Sequence, residues 1–185
     1  MSTIIWFNGP SGVELMESLP RQPFEIGCNL IQNNRDVDVV CAYDVDTVSK
    51  IEIKPNTEYY TREEAAHSKW NIINDHIIKS TNSGLLACYV AKMKKQFPIY
   101  ILGCDWGLTK ISIFEKEYMH TKPQRKYWQA HKKFISTLFD GLPVYVVSDQ
   151  QPDISLPIIS VKQFISEIKI NNNSRKDLQQ TRKDL

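Results

Sequence analysis

Apolar residues occur along this chain in short continuous runs, which are separated by polar turns and by segments with helical periodicity. Continuous runs of this length, rich in β-branched residues, are typical of strands that are buried on both faces. Strands are predicted at Thr3–Phe7, Phe24–Ile31, Val37–Tyr43, 98–106 and 144–149. Helices are predicted between them, at Val13–Leu19, 84–97, Tyr127–Leu138 and Val161–Ile168.

The alternation of buried strands with helices predicts an α/β fold. We expect a single Rossmann-like domain over residues 1–170, with a mainly parallel sheet and helices on both faces. Residues 171–185 repeat Arg-Lys-Asp-Leu and contain no large apolar residue besides two leucines, which predicts a disordered or loosely helical polar tail.

Two segments are ambiguous in this pattern. Residues 51–61 alternate like an edge strand but contain Pro55, which a central strand would exclude. Thr61 precedes Glu64 by three positions, a spacing that predicts a capping box before a weakly periodic helix at Ala65–Trp70.

Composition excludes several classes of protein. The formal net charge is +2, from 23 basic and 21 acidic residues, so no specific binding of nucleic acid is predicted. No secretory signal is expected, because Met1–Thr3 lead straight into the first strand, and no apolar run is as long as a membrane span. The four cysteines lie in apolar segments without Cys-x-x-Cys spacing, which predicts reduced core residues in a cytoplasmic protein. A homo-oligomer or a larger assembly is compatible with the sequence.

Polar side chains follow most of the predicted strands. Asn8, Asn29, Asp44, Asp105, Ser148 and Asp149 each stand at or just after the end of one. Because ligands of parallel sheets bind at the carboxyl ends of the strands, these residues predict the floor of a cleft.

The first of these exits, Asn8-Gly9-Pro10-Ser11-Gly12, leads from a strand into a helix. Backbone N–H groups and a helix dipole hold phosphates in such loops, with Gly9 allowing close approach and Ser11 donating or capping. The stretch is neither Gly-x-Gly-x-x-Gly nor a loop of the Walker type, so an ordinary capped turn is an equal alternative.

A second helix start, Thr81-Asn82-Ser83-Gly84, gathers small hydroxyl and amide groups at the positive end of a helix dipole. Taken alone, it fits a simple helix cap equally well. Two such starts that face one cleft would suit a nucleotide whose phosphate and sugar are held separately.

Several of these motifs, in their order and spacing, resemble the small bacterial lipooligosaccharide sialyltransferases. They are Asn8-Gly9-Pro10-Ser11, Cys28-Asn29, Asn82-Ser83-Gly84 and Gly103-Cys104-Asp105, and the resemblance spans about residues 3–149. The resemblance implies a Rossmann-like glycosyltransferase that uses CMP-sialic acid without a metal or cofactor and transfers the sugar to a glycan or other hydroxyl acceptor. A looser set of uncharacterised and pterin-pyrophosphokinase-like proteins shares the Asn-Gly-Pro-Ser opening.

The resemblance also implies roles for residues that bind the donor. Asn8, Gly9 and Asn29 would contact the nucleotide and its phosphate, and Ser83 and Gly84, with Asn82 beside them, would hold the donor sugar. Asp44 stands where the family carries an Asn near the donor. An acidic group there would repel a phosphate but could accept hydrogen bonds from a ribose. Ser11 and Asp105 complete the predicted nucleotide and donor site.

The catalytic groups that the resemblance implies are a His base and tyrosines that stabilise the departing phosphate. His120 lies in the corresponding segment with Tyr118 beside it, and we take these two as the catalytic candidates. A base of near-neutral pKa suits removal of a proton from an acceptor hydroxyl. The other histidines, His67, His76 and His131, are predicted to be surface or packing residues.

Two further interpretations stay open at this stage. One is a nucleotide-binding module without transferase activity, and the other is a structural or interaction protein of the kind that a phage carries. A separate alternative concerns Asp44 and Asp46, whose Asp-x-Asp spacing after a strand is typical of metal-dependent glycosyltransferases.

Overall fold

The computed structural model describes residues 2–74, 82–105 and 122–169 of the chain. In these residues eight strands form one sheet in the order β5-β4-β3-β2-β1-β6-β7-β8, and every neighbouring pair is parallel. The strands are β1 (Thr3–Trp6), β2 (Glu25–Cys28), β3 (Val39–Cys41), β4 (Glu58–Thr61), β5 (Asn71–Ile72), β6 (Ile99–Leu102), β7 (Val144–Val147) and β8 (Ile158–Ile159). The predicted α/β, Rossmann-like single domain is confirmed.

Helices cover both faces of this sheet. They are α1 (Val13–Ser18), α2 (Val45–Lys50), α3 (Ser83–Lys94), α4 (Lys122–Leu138) and a last helix, α5, at residues 161–169. Leu86 of α3 and Ile135 of α4 pack in the core on one face, whereas Leu15 of α1, Val48 of α2 and Phe164 of α5 pack in the core on the other. The chain therefore has three layers, with the sheet in the middle.

The side chains of β1 show why the central strands are continuously apolar. Ile4 and Trp6 belong to the core under α1, and Ile5 and Phe7 belong to the core under α3. Successive side chains of a strand point to opposite faces, so a strand with a helix layer on each side needs apolar residues at every position. Residues 3 to 6 are all fully buried.

The order of the strands reverses at β1. The chain runs outward from β1 through β2, β3, β4 and β5, then returns through α3 to β6 on the other side of β1. In open α/β sheets the crevice at such a reversal, outside the carboxyl ends of the strands, is where ligands bind. The topology therefore directs attention to the ends of β1 and β6.

Several predicted boundaries are corrected. The second strand ends at Cys28, because Asn29 adopts the left-handed conformation with φ 53° and a short 3₁₀ helix follows at Asn29–Asn33. Residues 58–61 form β4 after Pro55, which lies in a turn and not in the sheet. The capping box was wrong: Thr61 ends β4, and only a 3₁₀ turn at Glu63–Ala65 follows.

The predicted cysteine chemistry is confirmed. All four cysteines are buried and free. Burial raises the pKa of the Cys28, Cys41 and Cys88 thiols, and neighbouring cysteines raise it further. These thiols therefore act as small apolar groups of the core under α3.

A buried ion pair ties α1 to β2. The Glu25 carboxylate, fully buried, accepts from Arg35 Nε at 2.5 Å and Arg35 Nη2 at 2.7 Å, and from Trp6 Nε1 at 2.8 Å. Arg35 Nη1 also donates to the carbonyl oxygens of Met16 and Leu19, both at 2.9 Å. Each charge is thus compensated by several hydrogen bonds, as a buried ion pair requires.

Candidate functional site

The opening loop is held by the end of the neighbouring strand β6. Gly9 N donates to Gly103 O at 2.9 Å, Ser11 N donates to Asp105 Oδ2 at 2.8 Å, and Ser11 Oγ donates to Asp105 Oδ1. Asp105 is 8% exposed. Asp105, which the sequence places in the donor site, is in the structure a carboxylate that fixes the opening loop.

The close contact between these two loops explains the glycines. A methyl group on Gly9 would lie 2.2 Å from Gly103 O and 2.5 Å from Asp105 Oδ2. Gly103 has φ +70°, and a methyl group there would lie 2.6 Å from Phe7 O. The close approach predicted at Gly9 is therefore a contact between two loops of the chain, at Gly9 and at Gly103. This contact joins the ends of β1 and β6 into one rigid unit.

Ser83 connects three elements on the other side of β1. Its hydroxyl donates to Asn29 Oδ1 at 2.5 Å and accepts from Tyr43 N at 3.0 Å, and the residue is only 4% exposed. The start of α3 is thereby joined to the residues that follow β2 and β3. The structure thus brings Asn29 and Ser83, which are both predicted to bind the nucleotide-sugar donor, into direct contact.

Asn82 caps α3 and reaches a histidine. Its Oδ1 accepts from Leu85 N at 3.0 Å, and its Nδ2 lies 3.3 Å from His131 Nδ1 of α4. Gly84 follows at the point where Phe7 packs against the helix, since a methyl group there would lie 2.8 Å from Phe7 Cε2. The helix start is therefore capped, with Asn82 as the capping residue, and the cap adjoins the imidazole of His131.

Asn8 presents a polar atom that the described residues do not satisfy. Its side-chain oxygen Oδ1 is buried and has no hydrogen-bond partner in the described part of the chain. Buried amide oxygens are almost always paired in folded proteins, because an unpaired one costs about 1–3 kcal/mol. This unpaired acceptor lies at the end of β1, where the sheet order reverses, and Gln22, Thr61 and Gln96 carry similar unpaired buried atoms elsewhere in the described residues.

Acidic and basic side chains stand at neighbouring strand exits. Asp44 is the N-cap residue of α2, but its exposed side chain makes no capping hydrogen bond. Arg62, which follows β4, donates through Nε to Tyr43 O at 3.0 Å, and its Cζ lies 4.5 Å above the Tyr43 ring. Arg62 Nη1 also lies 3.8 Å from Glu64 Oε2, so its charge is shared with a neighbouring carboxylate.

On the α1 side of the sheet, a cavity of about 520 Å³ opens beside the same loop. Its floor is formed by Leu15, Asp105, Val147 and Ser148, which are all buried. Asp149 and Ser18 stand at its exposed rim. Ser11 and Asp105 thus face this cavity, while Asn29 and Ser83 lie near α3, so the predicted donor residues divide into two groups.

The catalytic candidates Tyr118 and His120 lie outside the described residues, as do His76, Thr81 and the tail 171–185. His67 accepts from Trp70 Nε1 at 2.9 Å, which is a packing role. Among the residues that the structure describes, no group of three His, Cys, Asp or Glu side chains could hold a metal ion. Over the same residues, no helix has the length and apolarity needed to cross a membrane.

Sequence reasoning missed one residue that adjoins the polar cluster at the start of α3, His131, and the position of Arg62 at a strand exit. His131 was predicted to be a surface or packing residue, yet it adjoins Asn82. Arg62 was assigned to a helix start, because the Thr61–Glu64 spacing fits a capping box. Recognising β4 would have placed Arg62 at a strand exit, where the other polar residues had already been found.

The chain was also compared with known proteins. Comparisons with protein-family models, curated proteins and solved structures returned no match. The resemblance to sialyltransferases stays a prediction that rests on the residues of the four motifs. The geometry of the site therefore carries the evidence on function.

Proposed function

We propose that the protein is a glycosyltransferase-like enzyme that binds a nucleotide-activated sugar and transfers the sugar to an acceptor hydroxyl without a metal ion. The observation that carries the proposal is the cluster of Asn29, Asn82 and Ser83 at the start of α3, with the unsatisfied buried Oδ1 of Asn8 at the end of β1. This cluster lies at the carboxyl edge of a parallel sheet, beside the strand where the order reverses. CMP-sialic acid is the donor that the resemblance favours.

The groups in the cluster suit the parts of a nucleotide. Side-chain amides both donate and accept, which fits the polar edge of a base or a ribose. The N-terminus of the 12-residue helix α3 favours a negative charge, which fits a phosphate. The exposed carboxylate of Asp44 would accept hydrogen bonds from ribose hydroxyls, whereas it would repel a phosphate.

Transfer of the sugar needs a base for the acceptor hydroxyl and a group that stabilises the departing phosphate. His120 and Tyr118 keep these roles as proposals from the resemblance. His131 is a second imidazole to test, because its Nδ1 lies 3.3 Å from Asn82 Nδ2. Parallel His120→Ala and His131→Ala variants assign the base: loss of turnover with unchanged nucleotide affinity identifies it.

One observation favours a second candidate function, a nucleotide-binding module without transferase activity. Gly9 N and both donors of Ser11 are already bonded to Gly103 and Asp105, so the opening loop has fewer groups to offer a reacting phosphate. Hydrolysis or transfer of the bound donor separates the two functions. Tight nucleotide binding with neither reaction would establish the module. A protein that binds no nucleotide and associates with a larger assembly would be an interaction protein.

Thermal shifts with CMP, UMP, UDP, GDP and their sugar conjugates, with and without magnesium, test the proposal. At a ligand concentration of 100 times Kd, binding stabilises the folded state by about 2.7 kcal/mol, which corresponds to about 5–10 °C in a chain of this size. We expect a cytidine nucleotide to give this shift without magnesium, and Asn8→Ala to reduce it. Asn34→Ala, which removes an exposed amide after the 3₁₀ helix Asn29–Asn33, is the control and should leave the shift unchanged.

Two outcomes would contradict this proposal. A shift that occurs only with UDP or GDP conjugates and only with magnesium would move the site to Asp44 and Asp46. The absence of any shift across the panel would remove the enzyme function and leave the interaction protein.

A further inference from the structure

The cavity beside α1 differs in chemistry from the cluster at α3. Its described lining includes two carboxylates, Asp105 and Asp149, and three serines, but no Lys, Arg or His. Leu15, Val147 and Ile165 supply an apolar surface inside it. Its volume of about 520 Å³ lies within the range of small-molecule sites, which is about 300–1,000 Å³.

The polar groups of the cavity are held in place by the backbone. Asp105 is fixed by Ser11, as described above. Asp149 Oδ1 accepts from Val161 N at 3.0 Å, and Ser148 Oγ accepts from Gln150 N at 3.1 Å. These bonds leave the second carboxylate oxygen of Asp149 as an acceptor and the Ser148 hydroxyl as a donor. Groups fixed in this way lose little conformational freedom when a ligand binds.

Charge decides which ligand fits. Carboxylates in a partly enclosed site repel a phosphate or a second carboxylate, and the described lining offers no cation to compensate. Hydroxyl groups of a ligand can both accept from Ser148 and donate to Asp149, while its C–H groups contact Leu15 and Ile165. A hydroxyl-rich molecule without negative charge has this combination of groups.

We propose that this cavity is the subsite for a non-anionic sugar unit, and that it receives the acceptor while the donor binds at the α3 cluster. The acceptor role rests on the proposed function, whereas the binding of a sugar does not. Ser11 and Asp105, which are bonded to each other, line the cavity at the end of β1.

The experiment measures binding of free sugars to the full chain by ligand-observed NMR. The panel contains glucose, galactose, N-acetylglucosamine, glucosamine, glucose 6-phosphate and free sialic acid. We expect at least one neutral or amine-bearing sugar to bind and the two anionic sugars to bind at least tenfold more weakly. Binding should persist in Asn8→Ala, which alters the donor cluster.

Two variants locate the binding. Ile165→Trp fills the cavity from α5 and should abolish sugar binding, whereas Ser166→Trp adds the same bulk at an exposed position of that helix and should not. A second variant covers the case in which Ile165→Trp fails to fold. The double variant Ser148→Ala/Asp149→Asn removes the hydrogen-bond donor of Ser148 and the negative charge of Asp149, and it should weaken sugar binding by about tenfold. Sugar binding that survives these cavity variants would overturn the proposal.

The other outcomes separate the cavity from the function. If a cytidine nucleotide binds but no sugar does, the cavity proposal fails and the proposed function stands. If a neutral sugar binds in the cavity but no nucleotide binds anywhere, the proposed function fails and the subsite stands. If glucose 6-phosphate binds as well as glucose, the argument from charge is wrong and the proposal falls with it.

Discussion

The hydroxyl of Ser83 is the atom whose removal tests the structure of the cluster most directly. Ser83→Ala deletes the bond that Ser83 donates to Asn29 Oδ1 and the bond that it accepts from Tyr43 N. Ser83 is 4% exposed and Tyr43 8% exposed, so water has little access to the broken bonds. A buried polar group that loses its partner costs about 1–3 kcal/mol, and a partly exposed one costs less.

From these contacts we expect Ser83→Ala to lower the free energy of unfolding by about 2 kcal/mol, most of it from the Tyr43 amide. The corresponding loss of Tm is about 4–8 °C for a chain of this size. Urea denaturation followed by circular dichroism measures the free energy, and the slope with urea should stay unchanged. Ser155→Ala, an exposed serine in a loop, is the control and should change stability by less than about 0.5 kcal/mol.

A double-mutant cycle with Asn29→Gly isolates the bond between the two side chains. Glycine tolerates the φ of 53° at this position, so the substitution removes the amide without straining the backbone. We expect a coupling energy of about 1 kcal/mol. A loss in Ser83→Ala no larger than that in Ser155→Ala, together with zero coupling, would refute the argument that this hydroxyl joins α3 to β2 and β3.

Two further predictions concern the core. Arg35→Met leaves the Glu25 carboxylate buried without its partner and should cost about 3–5 kcal/mol in urea denaturation, whereas Arg21→Met removes an exposed ion pair with Asp38 and should cost less than about 1 kcal/mol; equal losses would contradict the buried pair. Stability should also fall as pH rises above about 9 in the presence of a reductant. Burial raises the pKa of the Cys28, Cys41 and Cys88 thiols, so the unfolded chain releases their protons first, and each thiol removes about 1.4 kcal/mol per pH unit until its folded pKa is reached. Cys88→Ala should reduce that slope, and a stability independent of pH between 8 and 10 would contradict the burial.

The sequence allowed the sheet to be predicted because its central strands are buried on both faces. The apolar run at Thr3–Phe7, which contains β1, has no alternating polar residues and therefore does not fit a half-buried strand. It predicts a parallel sheet with helices on both faces. The short elements at the edges were harder to predict. The helix α2 lacks a clear apolar stripe, and β8 has only two residues, too few for a periodic pattern.

The candidate site was predictable in part for the same reason. Parallel strands end at one edge, so Asn29 and Ser83 could be expected near each other, and the structure places them in contact. The partner of Asp105 could not be read from the sequence, because its bond to Ser11 spans 94 positions. The second strand was extended to Ile31 for a local reason: Leu30 and Ile31 are apolar, and only the conformation of Asn29 ends the strand.

The two candidate regions differ in charge. The start of α3 favours an anionic group, whereas Asp105 and Asp149 in the cavity beside α1 disfavour one. Under the proposed function, the phosphate of the nucleotide therefore belongs at α3 and a neutral acceptor belongs in the cavity. The close packing of Gly9 against Gly103 holds the ends of β1 and β6 together, which gives the Gly9 position a structural reason beyond contact with a phosphate.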